Sequence, residues 1–238
     1  MLVAAAVMAM LVAWTVLGGA ALLTPHHDGA SSQAFLGAVA MWLTMAVAMM
    51  TPTVLPWIAA YVTLVAPPGG GTPWQAVGTF AAGYFAVWFL YSAGAAALQI
   101  GLSQAGLLMG DRVGTTLGAL VLVAAGAFQF VPLKSACLAH CRSPLSYFIA
   151  RWKDGPIGGF RLGVSHGAYC LGCCWLVMLT ALVMGVMNLA WMAVLTVMVA
   201  LEQLAPGGMR MARVCGVLLA LWGAWLALAS RLGVAAVP

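Results

Sequence analysis

Charge is what this sequence has least of: nine basic and four acidic side chains in 238 residues, 5% of the chain. So few charges cannot cover a domain of this size in water. The 65% hydrophobic content and mean hydropathy of +1.08 exclude a soluble globule and point to an integral membrane protein. Also missing are a Walker loop, a dinucleotide fingerprint, a nucleophile elbow and a zinc-protease HExxH. An ATP-driven pump or an ordinary hydrolase is therefore not expected, nor is an enzyme acting alone. Nothing suggests nucleic acid as a partner. With no low-complexity stretch and no clear internal repeat, residues 1–238 read as a single membrane domain.

What is present is apolar sequence in long runs. A spanning helix needs about 20 predominantly apolar residues, and breaks rich in glycine, proline or charge divide the chain into seven such stretches. Their expected bounds are 2–24, 34–65, 74–102, 112–133, 159–184, 187–203 and 211–235. The fold class is all-α, a polytopic bundle of about seven helices, or six if residues 185–188 are a kink instead of a turn. The first run lacks a basic leader and is longer than a signal core, so it is expected to stay as a helix, although Gly18 to Ala20 would suit a signal peptidase.

Orientation follows from the placement of Lys and Arg. With the N-terminus inside, the inner loops hold Lys134, Arg142, Arg151, Lys153, Arg161, Arg210 and Arg213, and the outer ones only Arg112 and Arg231. This predicts a bacterial cytoplasmic membrane protein with its C-terminus outside, its net charge of +5 favouring contact with anionic lipid.

The stretch SHGAYCLGCCWLVML, residues 165–179, concentrates thiols inside one of these runs. Cys170 and Cys174 are one helical turn apart on a common face, Cys173 lies beside them, and Met178 extends the stripe. Counted from Phe160, Cys170 is roughly 15 Å into the core, near the midplane. His166, one turn earlier, is a candidate to join the group or to sit as a hydrogen-bonded interfacial side chain. A second sulfur stripe, Met41, Met45 and Met49 with Met50 adjacent, runs through MWLTMAVAMMTPTVLPW, and Met45 reaches a comparable depth, about 18 Å from Gln33. Pro52 and Pro56 free carbonyls there that must be met by protein or line a cavity. Thioether and thiolate ligands at one depth select Cu(I), with zinc or another soft metal as competitor.

A third group, Cys137 and Cys141, again one turn apart, lies in what reads as a basic inner loop with His140, Lys134 and Arg142 nearby. Neighbouring positive charge favours the thiolate, suiting a metal relay or redox pair, with a structural, inert pair as the alternative; the spacing is not that of a zinc ribbon. Of the few polar residues in the spans, Glu202 is expected to neutralise Arg210 or Arg213. Gln99, Gln129 and Asn188 lie near helix ends, and His26, His27 and Asp28 form a solvated outer loop. Cys215 reads as packing. Gly78, Gly83, Gly94 and Gly101 are expected to permit close helix contacts.

The run Trp42, Met45, Ala48, Met49, Met50, Pro52, together with Lys134-x-x-Cys137-Leu138-x-x-Cys141-Arg142-x-Pro144 and Gly167-x-x-Cys170-x-Gly172-Cys173-Cys174-Trp175-x-x-Met178, followed by Met187-Asn188-x-x-Trp191-Met192, resembles an uncharacterised bacterial family. That family is described as predicted metal-binding integral membrane proteins, a domain of unknown function, and the resemblance covers about residues 34–206. It implies Met45, Met49, Met50, Cys137, Cys141, Cys170, Cys173 and Cys174 as family positions, and a lysine where this chain has Gln203. The expected function is binding of Cu(I) between the second and fifth spans for transport or delivery to another membrane or extracytoplasmic copper protein. Two alternatives are a transmembrane thiol-disulfide oxidoreductase and an accessory subunit of a larger membrane copper enzyme.

Overall fold

A computed structural model describes residues 32–66, 73–110, 112–186 and 188–232, with Val12, Trp14 and Thr15. The expected span 2–24, apart from those three residues, and the loop of His26, His27 and Asp28 lie outside the described residues, as does Met187. What is described is all-α but for one two-residue hairpin. The order is α1 (Ser32–Val65), α2 (Trp74–Gln104), β1 (Leu108–Met109), β2 (Arg112–Val113), α3 (Thr115–Phe128), α4 (Pro132–Cys141), α5 (Pro144–Arg151), α6 (Gly155–Leu179), α7 (Ala181–Met184), α8 (Leu189–Leu204) and α9 (Gly208–Arg231). The strands pair antiparallel, Leu108 opposite Val113.

Four helices are long and apolar enough to cross a membrane, namely α1, α2, α6 with α7, and α9. A fifth crossing is available if α3 and α4, bent by 66° at their junction, count together, while α8 is shorter. The expected span 112–133 is thus corrected. Its first residues are strand, and its helix ends at Phe128 because Pro132 starts a new helix in a new direction. A proline also sits in the first turn of α5 and of α6, where its missing N–H costs nothing. Those prolines turn the expected basic loop into two short helices. The turn at residues 185–188 is real: Gly185 takes φ 96° after α7, and Asn188 then caps α8 by accepting from Trp191 N at 3.0 Å.

α1 passes through Pro52 and Pro56 without a break. Beside them Thr51 donates to the Val47 carbonyl and Thr53 to that of Met50, local bonds to the preceding turn of the helix. The bundle's most extensive helix contact is α2 on α6. It is a glycine seam: a Cβ on Gly163 would overlap the Phe80 carbonyl oxygen and lie 3.0 Å from Tyr84 N, and one on Gly83 would overlap the Phe160 carbonyl. Of the four glycines expected to serve packing, Gly83 does so, whereas no described residue lies within 4 Å of a Cβ built on Gly78, Gly94 or Gly101.

The obstruction at Gly163 is backbone, which no rotamer change relieves. Gly163→Ala is expected to destabilise the protein by about 1–3 kcal/mol, whereas Gly78→Ala gains helix propensity worth up to about 1 kcal/mol. Thermal unfolding of both variants in detergent checks the contrast; equal unfolding temperatures would refute the seam.

Candidate functional site

The seam sets α6 so that its thiol face looks inward. Cys170, Cys173 and Cys174 are all buried, at 0%, 1% and 0% exposure. Within the helix the thiols of Cys173 and Cys174 both donate to the carbonyl of Cys170, each at 3.0 Å. Around Cys170 the surroundings come from three other helices. The Tyr84 hydroxyl of α2 is 3.3 Å from its sulfur. The Gln203 amide of α8 points at Cys170 and Cys173 from 3.6 and 3.7 Å. Cys141 of α4 faces the thiols of Cys170 and Cys173.

This placement corrects the expectation of a separate sulfur station in a basic loop. α4 folds back on α6, burying Cys141 and leaving Cys137 only 8% exposed, its sulfur against Gly172. The positive charges expected to activate that pair are engaged elsewhere. Lys134 is buried and holds Glu202 at 2.7 Å, with Gln129 donating to the other carboxylate oxygen at 3.1 Å. Arg142 donates to the backbone carbonyls of Glu202 and Pro206. Glu202 therefore pairs with Lys134, not with Arg210 or Arg213. Gln203, where the resemblance implies a lysine, supplies instead a neutral donor to sulfur.

The methionine helix reaches the group through Thr53, which lies within hydrogen-bonding reach of Tyr84, and through Trp57. The Trp57 indole donates to the Cys141 carbonyl at 3.1 Å and stacks on His166 with ring centroids 3.7 Å apart. With Trp57 at the level of His166 and Thr53 at that of Cys170, α1 runs antiparallel to α6. Further along the two helices, Met45, Met49 and Met50 of α1 and Met178 of α6 are buried in the same core. All four methionines are at most 1% exposed. Met41, the outer member of the stripe, is only half-buried.

His166 is 1% exposed, and neither of its ring nitrogens has a hydrogen-bond partner among the described residues. That is costly for a buried imidazole and leaves a nitrogen donor one turn from Cys170. Among the described residues no three His, Cys, Asp or Glu side chains converge closely enough to hold a metal ion. The arrangement instead offers pairs of thiols in a core that also contains the methionines, a set suited to a soft ion with few ligands. All six cysteines are free thiols. Gln99, near a helix end as expected, accepts from the Trp42 indole at 2.7 Å and does not take part.

The sequence missed Tyr84, Thr53 and Trp57 as neighbours of the thiols, and the joining of Cys141 to Cys170. One signal was legible: an acid in an apolar span requires a cation, and Lys134 is the lysine at the end of the span before the cysteine pair.

No curated protein and no solved structure matches the chain. The sequence does match the PpoB2 family, described as copper chaperone, over residues 39–226, a stretch that takes in the thiol cluster, the methionine stripe and the buried ion pair. The chain belongs to this copper chaperone family.

Proposed function

We propose that the chain is a multi-span protein of the bacterial cytoplasmic membrane that takes Cu(I) as cargo on its buried thiols and passes it to a partner copper protein, itself in the membrane or outside it. The observation that carries this reading is the meeting of Cys141 with Cys170 and Cys173 in the core of a chain from a copper chaperone family. Cys170 is the central ligand, with Cys141, Cys173 or Cys174 as its partner. Met45, Met49, Met50 and Met178 form a line of weaker thioether sites along which the ion moves by ligand exchange. Cys137 and His166 are the flanking donors. Each thiol that binds the ion gives up a proton, so copper is held less tightly as pH falls.

The membrane reading is supported by the four long apolar helices and by large apolar side chains turned outward along them, among them Leu90, Leu218 and Leu221. Arg142, Arg151, Lys153, Arg161, Arg210 and Arg213 gather toward the end where α6 and α9 begin, which the positive-inside rule assigns to the cytoplasm. That orientation puts the start of α1 and the end of α9 on the outer side.

Purification without oxygen, loading with Cu(I), desalting and metal analysis test the proposal. About one retained copper per chain is expected; protein that stays metal-free after loading overturns it. The Gln203 amide supports two sulfurs without being a ligand itself. Gln203→Leu is accordingly expected to weaken copper affinity about 10- to 100-fold, the usual cost of losing an outer-shell partner, measured by competition with a Cu(I) chelator.

A further inference from the structure

Beside the thiol core, at the end where α5 meets α6, lies a cavity of about 420 Å³ whose lining includes Arg151, Lys153 and Arg161. These cations come from the end of α5, the linker and α6, so the charge is gathered by the fold and not by a run in sequence. Tyr147, Trp152 and Ser165 contribute to the remaining wall. The acid nearest in sequence, Asp154, already accepts from the Trp152 indole at 2.8 Å. Arg151 is held in place: its guanidinium donates to the Tyr169 hydroxyl at 2.9 Å and to Ser165 Oγ at 3.3 Å, and it lies over the rings of Tyr147 and Tyr169. Lys153 and Arg161 make no side-chain hydrogen bond or ion pair with the described residues.

We propose that this cavity is an oxyanion site that takes the phosphate of an anionic phospholipid headgroup. A fixed guanidinium fork flanked by two uncommitted cations is the chemistry that recognises phosphate. The surroundings favour a lipid as its source. α5 buries Tyr147 and Phe148 while leaving Leu145 and Ile149 exposed at 54% and 72%, and Ile157 beside them is 71% exposed. Charge in a pocket with apolar side chains around it is what a phospholipid presents from the other side: phosphate above, acyl chains below. The lipid source rests on the membrane reading above, whereas the oxyanion site does not. Occupancy has a structural consequence, because Tyr147 forms both the cavity wall and an edge contact with Trp57, at 5.1 Å between centroids. An anion on Arg151 therefore fixes α5 against the residue that stacks on His166.

The test uses the full chain in neutral detergent, without copper, so its failure is separate from that of the copper reading. Short-chain phosphatidylglycerol, short-chain phosphatidylcholine and inorganic phosphate are titrated separately. Thermal unfolding and retained lipid, by native mass spectrometry, are the readouts. Phosphatidylglycerol is expected to raise the unfolding temperature and to be retained, with phosphatidylcholine much weaker. Lys153→Gln with Arg161→Gln is expected to weaken binding about tenfold or more while leaving the lipid-free unfolding temperature unchanged, since neither side chain has a partner among the described residues. If inorganic phosphate alone gives the shift, and the double variant loses it, the oxyanion site stands with a soluble ligand and the lipid assignment falls. Binding of neither anion, equal binding of both lipids, or binding undiminished in the double variant overturns the proposal.

Discussion

Cys170→Ser is expected to leave the protein folded and nearly devoid of copper. Serine is close to cysteine in size and keeps a hydrogen-bonding group for Tyr84, which sits 3.3 Å from the sulfur, so the packing of α2 against α6 is preserved. What is lost is the soft donor at the centre of the group, since a hydroxyl does not replace a thiolate for Cu(I). Cys141→Ser is expected to act in the same direction, because it removes the thiol that α4 brings against Cys170 and Cys173. Cys215→Ser, on the half-buried cysteine of α9, is expected to retain copper. Metal analysis after anaerobic loading, with unfolding temperature recorded on the same samples, checks all three. A folded Cys170→Ser protein with undiminished copper would move the binding site away from this cluster.

The second large effect belongs to the buried ion pair. Lys134 and Glu202 are each 1% exposed and 2.7 Å apart. Removing one partner strands the other as an uncompensated charge, so Glu202→Ala is expected to cost about 3–5 kcal/mol. Gln129 then also loses the carboxylate to which it donates. Lys134→Met combined with Glu202→Leu removes both charges, and most of the loss is expected to return, because an apolar pair of similar volume escapes the desolvation penalty. Unfolding of Lys134→Met, of Glu202→Leu and of the double variant in one detergent closes the cycle. Additive losses in the double variant would show that the two charges do not depend on each other.

The long apolar helices were legible because length and hydropathy alone define them: α1, α2 and α9 fall within a few residues of their expected bounds. The region between α2 and α6 was not. There the same apolar composition serves a hairpin, a 14-residue helix and a sharply turned α4, and only the geometry at Gln129 to Pro132 shows that the run does not continue. The thiol face of α6 could be read from spacing, since residues 170 and 174 share a side of any helix. That Cys141 joins it could not, because the meeting depends on α4 doubling back, and no local pattern encodes the direction of a helix after a bend. Assigning Lys134 to a loop had the same origin. A lysine just after a proline and beside a serine looks solvated until its partner, 68 positions later, is placed next to it.

An empty copper carrier is also a store of reducing thiols, and its hazard is its own reactivity. Four of the six cysteines, Cys141, Cys170, Cys173 and Cys174, are at most 3% exposed, and phenol, amide and indole groups pack around them. Oxidants and alkylating reagents therefore meet those thiols only when helices part. The speed at which a thiol reagent consumes them is a clock for that opening, set by the stability of the bundle more than by the chemistry of sulfur. On the proposed copper function, the packing that holds the cargo also keeps the vacant holder from being spoiled.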